Sequence, residues 1–406
     1  MVCCLRCIAC AVAAHLYHLW PRENAGGIFS RQCCDWKLPF MNASDASLYS
    51  VPDSIPVCCL DVREAFNGLT PKERLYAHNI AMASWAGGLI ALIQASPESP
   101  TIFAGLTELF CACDAAALEA NCRAAGVSDM HFNAFMQYAA SFYGNLGNYL
   151  SFGDTKFVPS VPRPVFETIV KASGSSGAAR LLLSAIDKVY SLSSGVLQLG
   201  FNNSIAMSSY YSSNMRKADV EVVQRWMTSA LPADSSYNTR IFMNSDGSMK
   251  LLVAAADCRD GSTHSFEGRS IRLIYGDPAF VPSLNLVAKY IDAAKAHSAN
   301  ANQLDMLTKY MPPPPALCFC NNLNMYSEHF RQGDITLHKA SQVAWVKDVG
   351  PAVECNLGFI ESYRDPVGVR GEWEGFVAVV NRKMSEKFGG LVDAAKELLA
   401  QVRARV

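Results

Sequence analysis

Between Thr70 and Leu146 apolar residues return at helical spacing through three successive blocks, so the chain must build a helical layer before anything else. The first block opens with Thr70 and Glu73 in capping-box register and Pro71 at the first helical position, and Leu75, Met82, Trp85, Leu89 and Leu92 follow. Ser99-Pro100 starts a second helix expected to end before Gly126. A third, from Ser128 to Leu146, carries Phe132, Phe135, Tyr138, Phe142 and Tyr143 as one stripe. Aromatic residues at that spacing read as core, not as a ligand site.

Further along, Phe152 to Pro164 is rich in Gly and Pro and reads as irregular. Val165 to Lys171 and Ala178 to Tyr190 read as helices, and Asn214 as the cap of another through Met227 and Leu231. The period then changes. Asn238 to Met243 and Met249 to Ala255 are strand-like runs joined by Asn244-Ser-Asp-Gly-Ser248, whose Asp-Gly step signals a hairpin; Ser270 to Tyr275 adds a strand. Pro282 to Lys309 reads as one long helix and Asp334 to Trp345 as a shorter one. Between them Pro312 to Pro315 have no amide hydrogen to donate, and residues 311–325 are expected to form an exposed insertion. Phe376 to Ala404 reads as a closing helix whose Phe388, Leu391, Ala395, Leu398 and Val402 face a partner surface. The expected class is α+β, a predominantly helical lobe with a small β-sheet.

The stretch most suggestive of chemistry runs from Gly358 to Asn381. It sets Glu361, Asp365, Glu372 and Glu374 beside Tyr363, Arg364, Arg370 and Trp373, on what reads as a strand, a tight loop and a helix start. Converging carboxylates can hold an ammonium through charge-assisted hydrogen bonds, and a phenol can donate to an oxygen that gains charge in a transition state. The same residues also suit a solvated turn in which Arg364 pairs with Asp365 or Glu361 and contributes under about 1 kcal/mol.

The order of these residues resembles the dipeptidyl peptidase III family of zinc exopeptidases. The resemblance rests on Gly358-Phe-Ile-Glu-Ser-Tyr-Arg-Asp-Pro366 followed by Arg370-Gly-Glu-Trp-Glu-Gly-Phe-Val-Ala-Val-Val-Asn381. Leu69-Thr-Pro-Lys-Glu-Arg-Leu-Tyr-Ala-His78, Phe142-Tyr-Gly-Asn-Leu-Gly-Asn-Tyr149 and Ser151-Phe-Gly-Asp-Thr-Lys-Phe-Val-Pro159 agree with it. It implies that Glu361 and Glu374 bind the free amino terminus of a short peptide, that Tyr363 donates toward the scissile carbonyl, that Ser362 borders the substrate backbone, and that Trp345 lines the cleft wall. The family cleaves with a zinc held by an H-E-L-L-G-H helix and a second helix carrying E-E-C-R-A-E, and neither string occurs here. Of the eight histidines none forms an H-x3-H or H-x4-H pair. The resemblance therefore implies a substrate-binding lobe over residues 41–381, with 382–406 beginning the crossing into a missing zinc-bearing lobe. No metal is expected on this chain, and alone it is expected to be inactive. The alternatives are a non-catalytic peptide-binding module, pairing with a separate chain that supplies the zinc lobe, or an incomplete version of the enzyme.

Composition excludes some classes. The formal net charge of -1 leaves no basic footprint for nucleic acid, and no apolar run reaches the roughly 18 residues a bilayer demands, so neither nucleic acid nor membrane is expected as a partner. The 15 cysteines include adjacent pairs and are odd in number, which fits free thiols in a cytoplasmic protein better than a disulfide framework. Residues 1–40, six of those cysteines among them, match nothing in the family and read as a disordered extension.

Overall fold

In the computed structural model residues 46–52, 54–56, 62–202, 205–308 and 325–403 are described. The extension expected over 1–40 and the insertion expected over 311–325, save its last residue, lie outside them. The α+β expectation holds: helices dominate the described residues, and the strands form small sheets of two, four and two members.

After a short α1 (Arg63–Asn67), α2 (Pro71–Ala95) begins on the capping box read from sequence: Thr70 Oγ1 accepts from the Glu73 amide at 3.3 Å and Glu73 Oε2 from the Thr70 amide at 2.8 Å. Its large residues Leu75 and Leu89 are exposed, whereas Ala83, Gly87 and Ile90 lie in the core. A face of small residues lets neighbouring backbone come close. The second expected helix is in fact two, α3 (Ser99–Ala112) and α4 (Ala115–Ala124), bent by 89°, because the Asp114 carboxylate accepts from the Ala117 amide at 2.9 Å and opens a fresh helix. The aromatic stripe of α5 (Asp129–Asn145) is buried throughout, and Phe135 and Tyr138 meet Phe166 of α6 (Arg163–Ala172) at ring-centroid distances of 5.1 and 6.0 Å. The next expected helix divides into α7 (Ser176–Ser184) and α8 (Ile186–Tyr190).

A two-stranded ribbon, β1 (Gly200–Asn202) and β2 (Ile205–Met207), precedes α9 (Lys217–Ala230). That helix has Arg216 at its cap position; Asn214 instead donates to the Met243 carbonyl at 3.3 Å. The expected hairpin is β3 (Thr239–Met243) and β4 (Met249–Val253), with Gly247 at φ +81° in its turn. The sheet order is β3-β4-β6-β5, in which β6 (Arg269–Tyr275) runs parallel to β4 and β5 (Arg259–Phe266) forms an edge. Sequence reading missed β5 because an exposed edge has no apolar alternation to display.

The long helix expected to Lys309 breaks into α10 (Val281–Lys295) and α11 (Ala301–Thr308), where Asn300 Oδ1 accepts from the Gln303 amide at 2.9 Å. Next come α12 (Met325–Gln332) and α13 (Ile335–Val346), the latter capped by Asp334. The largest correction follows. Gly375 to Val379 does not start a helix; it belongs to β8 (Glu372–Val379), antiparallel to β7 (Val353–Glu361), and helix resumes only in α14 (Arg382–Asp393) and α15 (Ala395–Arg403). Packing decides this. Trp373, Gly375 and Val377 face inward at period two, and α2 lies against them so closely that a Cβ on Gly87 would stand 1.9 Å from the Trp373 ring. A short apolar run is ambiguous by period alone, and the neighbour selects the strand.

Two hydrophobic cores result. One unites the helices around α2 and α5 with the inner face of β7 and β8. The other lies between α9 and the four-stranded sheet, with Val220, Val223, Trp226, Ile241, Leu251 and Ile271.

Candidate functional site

The loop joining β7 to β8 closes on itself before it presents anything outward. Ser362 Oγ donates to the Gly368 carbonyl at 2.9 Å, and the Asp365 carboxylate accepts from the amides of Val367, Val369 and Arg370 at 3.2, 3.0 and 2.9 Å. Tyr211 donates its phenolic proton to the same carboxylate. Asp365 is thus an internal organiser of the turn, with its lone pairs committed.

Beneath the loop two arginines are buried. Arg364, 1% exposed, donates from Nε to Glu372 Oε1 at 2.8 Å, and its Nη1 stands 3.5 Å from Asp154 Oδ1. The solvated-turn reading is therefore wrong in both partner and setting: Arg364 faces Glu372 and Asp154, away from water, because the hairpin folds its side chain inward. Arg370 donates from Nη1 to the Tyr211 oxygen at 3.1 Å, and Nη1 lies 3.6 Å from Asp365 Oδ2. Burial pushes the Asp154 carboxyl up to about 6, outweighing the nearby Arg364 charge, while Glu372 adds to the rise. A third clamp comes from α2. Gln94 donates to the Gly371 carbonyl at 2.9 Å and accepts from the Trp373 amide at 2.7 Å, which fixes the start of β8.

With those groups turned inward, Glu361 is exposed, Tyr363 is 41% exposed and Glu374 is half-buried at the mouth of the loop. The Tyr363 ring stacks on Phe152 with centroids 5.7 Å apart. Burial, then the carboxylates of Glu374, Glu372 and Glu361, push the Tyr363 phenol well above its ordinary value. It therefore keeps its proton and remains a donor. These groups gather at one end of the hairpin.

Trp345 stands elsewhere. The outer face of β7 is covered by α13: His338 lies over Gly358, Gln342 bonds Asn356 at 3.2 Å, and Trp345 Nε1 donates to Glu354 Oε1 at 2.6 Å. Gly358 has φ +147°, and a Cβ there would meet His338 Cε1 at 2.9 Å, so the helix approaches over a position that only glycine fills. Glu354 precedes Glu361 by seven residues, about 23 Å of strand at roughly 3.3 Å per residue. Glu361, Ser362, Tyr363 and Glu374 are brought together, and Trp345 borders the same strand toward its far end. Sequence reading missed Gln94, Phe152, Asp154 and Tyr211, which meet the loop only through the fold.

Two histidines also converge: the rings of His329 and His338 are 5.0 Å apart, and His329 Nδ1 donates to the Asp334 carbonyl at 2.8 Å. Burial lowers them to about 4 and about 3, so both are neutral near pH 7. Among the described residues no three His, Cys, Asp or Glu side chains assemble to hold a metal, so these residues do not fit a zinc ion. The cysteines at 111, 113, 122, 258 and 355 are free thiols. No single described helix is long and apolar enough to cross a membrane.

The sequence pattern of Peptidase family M49 matches residues 181–313 and 320–403. The chain is 41% identical over 353 residues to dipeptidyl peptidase 3 of Dictyostelium discoideum, covering 87% of this chain and 48% of that protein. Against dipeptidyl peptidase 3 of Homo sapiens it is 38% identical over 375 residues, at the same two coverages. The chain thus spans about half the length of the relatives it matches. Among solved structures, dipeptidyl-peptidase III from Corallococcus sp. strain EGB covers 87% of this chain at a TM-score of 0.44 and 16% identity, with 46% of that structure matched.

Proposed function

This chain belongs to peptidase family M49, and from that membership we propose that it is the peptide-anchoring part of a dipeptidyl peptidase III-like protein. Glu361 and Glu374 take the free ammonium of a short peptide, Tyr363 donates to the oxygen of its scissile carbonyl, and Ser362 borders the peptide backbone. Trp345 lines the more distant wall. The observation that carries this reading is the convergence on Tyr363 of the exposed Glu361, which hydrogen-bonds its phenol, and the half-buried Glu374, on a loop whose Arg364 and Asp365 are committed inward. A charge-assisted hydrogen bond to each carboxylate gives an ammonium two strong contacts in a partly desolvated corner.

Residues 41–381 act as the binding lobe in this proposal, and 382–406 lead toward whatever part bears the metal. Zinc in this family supplies Lewis-acid activation of water and carbonyl. The described side chains supply orientation and no such centre, so the chain by itself binds peptides without hydrolysing them. Release of dipeptides needs a zinc-bearing part, on this or a separate polypeptide. The free thiols suit a cytoplasmic, reducing setting.

Calorimetry of the purified chain with a free-amino tetrapeptide and its amino-acetylated form tests the proposal. Binding of the free amine alone, lost in Glu361→Ala and indifferent to added zinc, is the expected outcome. Equal binding of both forms, or one tightly held zinc with turnover, overturns it.

A further inference from the structure

A cleft of about 840 Å3 opens between the start of α3 and residues 191–199 and 207–213, and Tyr211 forms part of its wall. That volume lies in the range of small-molecule sites, which pair apolar walls with a few placed polar groups. Ile93, Leu199, Met207 and Phe242 supply the apolar surface. Of the three other lining charges two are spent within the protein, Asp187 on Arg163 at 2.6 Å and Arg240 on Asp277 through two bonds of 2.6 Å, and the third, Lys188, is exposed at the rim.

Glu98 and Lys156 differ from these. Asn148 Nδ2 occupies one Glu98 oxygen at 2.8 Å, and Lys156, 1% exposed, gives one of its three protons to the Lys188 carbonyl at 2.6 Å. Burial lowers the Lys156 ammonium and the Glu98 charge opposes that shift, so the two sense one another. Ser209 Oγ, buried and without a hydrogen-bond partner among the described residues, lines the same cleft. A carboxylate, an ammonium and an orphan hydroxyl in apolar surroundings are complementary to a small zwitterion, with its ammonium toward Glu98 and its carboxylate toward Lys156.

The cleft also touches what supports both loops of the anchoring site. Tyr211 donates to Asp365 and accepts from Arg370, inside the turn that carries Tyr363. Gln198, another lining residue, donates to the Gly153 carbonyl at 2.5 Å and accepts from Thr155 Oγ1 at 3.0 Å, beside Phe152 and its stack on Tyr363. We propose that this cleft binds a short zwitterionic peptide of dipeptide size, and that occupancy changes peptide affinity at Glu361 and Glu374 through Tyr211 and Gln198. The coupling rests on the anchoring reading above; the binding itself does not.

The test uses the full chain, the dipeptide Ala-Phe, and its doubly capped N-acetyl amide. Because the free ammonium of Ala-Phe can also seek Glu361, it is titrated in Glu361→Ala, where it is expected to bind still and to weaken at least about tenfold when Glu98→Gln is added, the loss of one charge-assisted hydrogen bond. The capped analogue should not bind. Met207→Trp, which fills the cleft from another element, should abolish binding too and guards against a misfolded Glu98 variant. Ala-Phe binding that vanishes in Glu361→Ala yet survives both cleft variants overturns the site, as does no binding to wild type. Saturating Ala-Phe should shift tetrapeptide affinity at least threefold in wild type and leave it unchanged in Tyr211→Phe; an unshifted wild type, or a shift that persists in Tyr211→Phe and so reports competition at the anchoring loop, overturns the coupling. Should the tetrapeptide fail to bind at all while Ala-Phe still binds Glu361→Ala, the anchoring reading and the coupling fall and the cleft site stands.

Discussion

The β7–β8 hairpin and the α14–α15 helices follow one another in the chain, and each is amphipathic, but only one of them is packed. Inside the hairpin Trp373, Val377 and Leu357 are buried, and the loop buries Arg364 and Arg370 with charged partners. Neither helix buries a single residue; Phe388 is 59% exposed and Val392 71%. Lys383 meets Glu64 at 2.5 Å, an exposed ion pair that water screens and that contributes little. An amphipathic pattern records that a face can be buried. Where its partner lies is written in distant residues, here Gly87, Gln94, Asp154 and Tyr211.

That contrast makes ordered predictions. Arg364→Leu should break the hairpin's advantage most, because it strands the buried Glu372 and the half-buried Asp154 without their cation. A loss of about 3–5 kcal/mol is expected from urea unfolding. A loss below about 1 kcal/mol would mean that the pair is solvated after all.

Gln94→Leu keeps the volume of the side chain but leaves the Gly371 carbonyl and Trp373 amide buried without partners. It should cost about 2–3 kcal/mol by the same measurement. Peptide affinity should fall with it, since Glu372 and Glu374 lie on the strand that Gln94 positions.

Asp154→Asn sharpens the comparison through pH. The Asp154 carboxyl titrates near 6 in the folded chain against an ordinary 3.8, so its favourable contribution is fully present below about pH 4 and is lost as pH rises through 6. His329 and His338, lowered to about 4 and about 3 from 6.5, work in the opposite sense: they favour folding above pH 6.5 and lose that contribution as pH falls through those values. Replacing Asp154 alone should therefore raise the stability of the variant relative to wild type between pH 5 and pH 7.5. A stability difference that is the same at both pH values removes Asp154 from the account.

The smallest effect belongs to the other region. Leu391→Ala on α14 should change stability by no more than about 0.5 kcal/mol in thermal or urea unfolding, because the side chain is half-exposed and buries nothing. A loss near 2 kcal/mol would show that these helices pack in solution.

Local chemistry made a good part of this legible in advance. Thr70, Pro71 and Glu73 start a helix by bonds that span three residues, the α5 stripe needs only its own period, and Asp246-Gly247 turns a hairpin through its backbone preference. The outward residues of the site were legible for another reason: Glu361, Tyr363 and Glu374 stand within one short stretch whose order resembles a known family. Asp114 does not stand out as a cap in the sequence because the apolar period continues across it, and residues 376–379 suit a helix as well as a strand because a short apolar run satisfies either period.

What the sequence by itself determined, then, is the helical layer and the hairpin of the second sheet, both set by interactions a few residues long, while the candidate anchoring groups were named by the order of residues 358–381. The tertiary structure alone decided that β8 is a strand, that Arg364 faces Asp154 across 210 positions of sequence, and that Tyr211 joins a cleft to a loop. The reason is physical. Burial and charge pairing depend on which distant surfaces meet, and a local pattern constrains the need for a partner without containing the partner itself.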